Sequence, residues 1–118
     1  MPKYLVLIYG DEQRWDSMSP AEGAEIDAGH RAFNQRAGAA VLESGQLESP
    51  STATTLRRGE GEGPSVTDGP FLETKEVVGG FYVVQAADLD EVVAWTRELA
   101  EAGHDHSGVE ITPLVHHG

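Results

Sequence analysis

Hydrophobic positions fall along this chain in two rhythms. Residues 3–9, Lys-Tyr-Leu-Val-Leu-Ile-Tyr, read as a strand that stops at Gly10. Tyr4, Val6 and Ile8 point one way and Leu5, Leu7 and Tyr9 the other, so both faces are apolar and both are expected to be buried. Phe81-Tyr82-Val83-Val84-Gln85-Ala86, after Gly79-Gly80, repeats that two-faced pattern. The helical rhythm begins at Ser19-Pro20-Ala21-Glu22, where Ser19 can cap, Pro20 suits the first helical position and Glu22 completes a capping box. Ile26, His30, Phe33 and Ala37 then share one helix face, and Gly38 closes the segment. A second capping box, Asp88-Leu89-Asp90-Glu91, opens a helix carrying Val92, Val93, Thr96, Leu99 and Ala100, predicted to end at Gly103.

The remaining segments are shorter. An acidic loop from Asp11 to Met18 carries Trp15, and a short strand is predicted around Ala40–Glu43. Residues 52–58 and Ser65–Thr67 form a hairpin about the polar tip Gly59-Glu60-Gly61-Glu62-Gly63-Pro64. Asp68-Gly69-Pro70 is a turn leading into an extended stretch over 71–76. Val109, Ile111, Pro113 and Val115 alternate with polar or outward positions, and Pro113 assigns this last strand to an edge. The order predicts one α+β domain over residues 1–118, a ferredoxin-like βαββαβ with an extra hairpin. Two helices cover only one face of such a sheet, so the two-faced strands predict a homodimer packed sheet to sheet. The rival is a monomer whose hairpin folds back over the sheet.

Composition narrows the function classes. Apolar residues are 39% and charged residues 24% of the 118 positions, a globular mixture. The formal charge of −12 disfavours nucleic-acid backbones and anionic membranes as partners. Without cysteine there is no disulfide scaffold, thiolate metal site or cysteine nucleophile. The run from Tyr4 to Tyr9 is too short for a signal-peptide core, which makes a cytoplasmic location the expectation.

The stretch Val66-Thr67-Asp68-Gly69-Pro70-Phe71-Leu72-Glu73-Thr74-Lys75-Glu76, followed by Gly79-Gly80-Phe81-Tyr82, closely resembles the signature of the DGPF branch of the YCII-related proteins. The opening Lys3–Tyr9, Ala53-Thr54-Thr55-Leu56-Arg57 and Val109–Leu114 resemble it too. The resemblance implies a dimeric α+β barrel. It also implies a superfamily that includes a dehydrochlorinase of a chlorinated hydroxyhydroquinone and members with a His–Asp pair in a cleft. Genes of this branch often neighbour extracytoplasmic-function sigma factors, which implies a regulatory context. His30 is the residue here that matches the family's histidine on or near the first helix. The paired aspartate falls where this chain has Glu48, so Asp68 becomes the expected acidic partner.

His30, on the apolar stripe of its helix, is either a hydrogen-bonded core histidine or a general acid–base group lining a cavity. Asp68 is either an ordinary turn residue or a rigidly held carboxylate that orients the imidazole. Glu73, Lys75 and Glu76 are either a solvated ion-pair ladder or a substrate-binding group, with Arg57 helping Lys75 to hold an anion and Tyr9 adding a phenol hydrogen bond. His104-Asp105-His106 has no clear third and fourth metal ligand, and His116-His117 reads as a frayed tail, so neither metal nor cofactor is expected. The leading reading is a small enzyme performing His/Asp elimination or isomerisation on an anionic or aromatic metabolite. The alternative is a non-catalytic ligand-sensing or partner-binding dimer linked to a sigma factor.

Overall fold

A computed structural model describes residues 1–72 and 74–117. Four antiparallel strands form the main sheet in the order β2-β5-β1-β6, where β1 is Lys3–Asp11, β2 Val41–Gln46, β5 Glu76–Gln85 and β6 Ser107–Pro113. The intervening β3 (Thr54–Arg58) and β4 (Pro64–Asp68) pair only with each other, as a two-stranded ribbon apart from the sheet. The described residues also form three α-helices: α1 (Glu12–Asp16), α2 (Pro20–Ala37) and α3 (Leu89–Thr96). This mixed α+β arrangement is consistent with a ferredoxin-like fold.

Local chemistry accounts for most boundaries. Ser19 accepts from the Glu22 amide at the start of α2, and Asp88 accepts from the Glu91 amide at the start of α3. The acidic loop expected after β1 is instead a single helical turn, α1, because Asp11 caps it by accepting from the Gln13 amide. α3 also ends earlier than expected. Thr96 returns its hydroxyl to the Val92 carbonyl at 2.8 Å, and Leu99 takes an extended backbone that turns its side chain into the core. Residues Ala100–Ala102 then make a separate tight turn. β5 begins at Glu76 and includes Gly79-Gly80, so among the described residues of the extended stretch expected over 71–76 only the last belongs to the sheet. Pro113 closes β6 at the sheet edge, where its missing N–H costs no ladder bond.

The core lies on one side of the sheet. Tyr4, Val6 and Ile8 of β1 and Tyr82 and Val84 of β5 meet Phe33 and Ala37 of α2, Val92 of α3 and Leu99. On the opposite side Leu5, Leu7, Phe81 and Val83 form a half-buried apolar strip that no helix covers, with Glu43 and Glu110 at its margins. The molecule is a slab, 49 × 45 × 19 Å. That thickness accommodates one sheet and one helix layer, and nothing more. Its radius of gyration, 16.4 Å, exceeds the ~13 Å typical of a compact domain of this length. The ribbon therefore does not fold back over the sheet; Leu56 and Val66, opposite each other on it, are 60% and 64% exposed. No helix among the described residues is long and apolar enough to cross a membrane.

Candidate functional site

On the helix side, α1, the first half of α2 and the ends of β2 and β5 enclose a cleft of ≈ 980 Å³. Ile8, Trp15, Ile26, Leu47, His30 and Tyr82 contribute to its wall. Trp15 is held rigidly. Its indole N–H donates to Ser107 Oγ at 2.8 Å, and its ring lies against the backbone of Gly10 and Gly79. A Cβ at Gly79 would come within 2.7 Å of that ring, so the glycine is required by close approach of the indole.

The polar centre of the cleft is built from three elements. α2 presents His30, β5 presents Tyr82 on its helix-facing side, and the turn Ala100–Ala102 sends Glu101 inward. His30 Nε2 lies 2.7 Å from Glu101 Oε2, and His30 Nδ1 lies 2.5 Å from the Tyr82 hydroxyl. An ionised carboxylate only accepts, so Nε2 donates to Glu101, and the tautomer with its proton there leaves Nδ1 to accept from the Tyr82 O–H. Asn34, one turn after His30, donates to the His30 carbonyl at 2.8 Å and to the Tyr82 oxygen at 3.4 Å. Phe33 packs on the Tyr82 ring at 4.3 Å between centroids. Burial pushes the Tyr82 phenol above its ordinary pKa; Asn34 opposes that rise and the Glu101 charge adds to it. Glu101 is only 5% exposed, and its second oxygen, Oε1, has no hydrogen-bond partner among the described residues.

Gly29 permits this assembly. A Cβ there would stand 2.6 Å from the Glu98 carbonyl oxygen, so only glycine lets α2 approach the segment that carries Glu101. Arg36 reinforces the approach by donating to the Ala94 carbonyl at 2.8 Å and pairing with Glu98 at 3.1 Å.

The residues singled out from sequence are dispersed. His30 lies in the cleft, as does Glu48. The expected His30–Asp68 pair does not form within the chain: both imidazole nitrogens are taken by Tyr82 and Glu101, while Asp68 ends the ribbon, exposed, opposite Thr54. Beside it Gly69, at φ +103°, makes the turn, its amide bonded to the Ala53 carbonyl and its own carbonyl accepting from Thr55. Tyr9 faces the uncovered side of the sheet, where its bond to Glu110, with burial and the carboxylate's charge, raises the phenol pKa. Arg57 stacks over Phe71 at 4.3 Å, and Lys75 reaches Asp11 at 3.9 Å, so neither cation lines the cleft. Glu76 opens β5 opposite Asp11, and Glu73 lies outside the described residues. His104 and His106 sit 5.0 Å apart between ring centroids, yet no group of three or more metal-ligating side chains converges among the described residues.

Tyr82, Asn34 and Glu101 were not anticipated as functional. The alternation of β5 already sends Tyr82 to the side of Val84 and Ala86, and Asn34 follows His30 by one turn. Glu101 gives no such signal, since it belongs to a short turn distant in sequence.

Comparison with known proteins agrees with the fold. A family model for the YCII-related domain matches residues 2–115. An uncharacterised protein of Rhizobium meliloti (strain 1021) is 36% identical over 118 aligned residues, covering 95% of this chain and 91% of its own. A match running from the first strand through the last makes the chain a member of the YCII-related domain family.

Proposed function

We propose that the cleft binds a small molecule with an apolar or aromatic body and that Tyr82, His30 and Glu101 move a proton to or from it. The observation that carries this reading is the unbroken hydrogen-bonded chain from a buried carboxylate through an imidazole to a phenol inside the cleft. A proton taken by the Tyr82 oxygen lets the phenol's own proton pass to His30 Nδ1. The resulting imidazolium is stabilised by Glu101, as in other acid–base chains where a carboxylate orients a histidine. The reverse order delivers a proton. Both directions suit elimination or isomerisation, which need one proton removed and another returned. Glu101 takes the acidic role first considered for Asp68.

The test uses a carbon acid. In D2O the protein is expected to accelerate deuterium uptake beside the carbonyl of phenylacetone. Tyr82→Phe and His30→Asn are each expected to lower that rate by about 10²-fold or more while the fold persists. Rates in both variants equal to that of the unaltered chain would refute the relay.

The finer assembly belongs to the same proposal. The apolar strip of Leu5, Leu7, Phe81 and Val83 and the exposed ribbon residues support a second copy packed on the uncovered sheet face, as a dimeric α+β barrel. This also supports the alternative reading of a ligand-sensing dimer, which keeps the cleft and needs no turnover.

A further inference from the structure

We infer that the cleft selects a cationic ligand, an ammonium group carried on an apolar or aromatic body. This deepens the proposed small-molecule site and rests on it. Five carboxylates contribute to the wall, Glu12, Asp16, Asp27, Glu48 and Glu101, against one guanidinium, Arg31. None of the first four is paired with a cation among the described residues. An anionic substrate would enter against that field, and the two cations expected to receive it, Arg57 and Lys75, are engaged outside the cleft.

Glu101 supplies the independent observation. Glu101 lines the cleft, and its Oε1, with under 1 Å² open to solvent and no hydrogen bond among the described residues, is a costly acceptor that a donor seated with the ligand would complete. Oε2 is held by His30, so Oε1 is the atom left to accept. An ammonium offers up to three N–H donors and a positive charge; a carboxylate or phosphate offers neither. The remaining wall suits the ligand's body: Ile8, Ile26 and Leu47 are apolar, and Trp15 is the aromatic ring most favourable to a nearby cation. The net charge of −12 draws the same class of ligand from a distance.

The test compares three probes of similar size by titration calorimetry on the full chain: phenethylammonium, phenethyl alcohol and hydrocinnamate. The ammonium is expected to bind about tenfold more tightly than the alcohol, with the carboxylate weakest, and to lose affinity as salt is raised. Asp27→Asn combined with Glu48→Gln, both on the exposed rim, is expected to weaken ammonium binding severalfold and leave the alcohol unchanged. Hydrocinnamate binding as tightly as the ammonium, or an ammonium affinity unmoved by the double substitution, would overturn the inference. Tyr82→Phe separates it from the relay. Retained ammonium preference with abolished deuterium uptake supports both. Uptake blocked by the alcohol but not by the ammonium overturns the ligand class and leaves the relay standing.

Discussion

Tyr82 is where burial and titration meet. Its phenol is shielded by Phe33 and His30, and deprotonation would place a phenolate near the Glu101 carboxylate. Its pKa is therefore raised above 10.0, and the folded chain holds that proton where the unfolded chain has begun to release it. The resulting stability is fully present below pH 10.0 and is lost as pH climbs through the raised value. Tyr9, raised by its bond to Glu110, acts in the same sense. Urea unfolding followed from neutral to strongly alkaline pH is expected to show this decline, and Tyr82→Phe to flatten part of it. An unchanged slope in that variant would contradict the assignment. At this scale the sequence placed His30 on the sheet-facing side of its helix, because a helix period assigns a face without knowledge of the fold. It could not identify the partner, because Glu101 is separated from His30 by 71 positions and its turn has no periodic pattern. The expected partner, Asp68, lies at a turn whose chemistry the ribbon uses locally, in the Gly69 bonds to Ala53 and Thr55.

Among the elements, the closeness of α2 to the segment after α3 decides whether His30 and Glu101 touch. Gly29→Ala is expected to destabilise the protein by about 1–3 kcal/mol, because its Cβ meets the unyielding Glu98 carbonyl at 2.6 Å. Gly23→Ala, six residues before Gly29 in the same helix, meets nothing within 4 Å and is expected to stabilise by about 0.5–1 kcal/mol through helix propensity alone. Thermal unfolding of the pair checks the contrast, and equal shifts would deny the close approach. In Gly29→Ala the His30–Glu101 bond is expected to lengthen while the His30–Tyr82 contact holds, so deuterium uptake is expected to fall along with stability. The elements themselves were largely legible: caps announced α2 and α3, and unbroken apolar runs announced β1 and β5. The single turn α1 and the early end of α3 were not. Each depends on one side chain returning to its own backbone, Asp11 in the first case and Thr96 in the second, a competition that apolar periodicity does not register.

For the whole molecule, the slab shape outweighs any single contact. A sheet covered on one side leaves Leu5, Leu7, Phe81 and Val83 without a lid, and a two-stranded ribbon is marginal by itself. Sedimentation is expected to give a dimer at micromolar concentration. Leu7→Glu, which sets a new carboxylate beside Glu110 on that strip, is expected to shift it to monomer. A monomeric unaltered chain would remove the dimer from the proposal. This uncovered face was readable from two strands with apolar side chains on both sides, whereas the detached course of the hairpin was not. Its turn residues specify that β3 meets β4, and nothing in them specifies what the pair lies against. The solvated tip at Gly59–Gly63 is joined to the body only through that arm. An arm so extended and so little buried is expected to be the first place a protease cuts, at its glycine-rich tip, while the sheet and helices behind it stay whole.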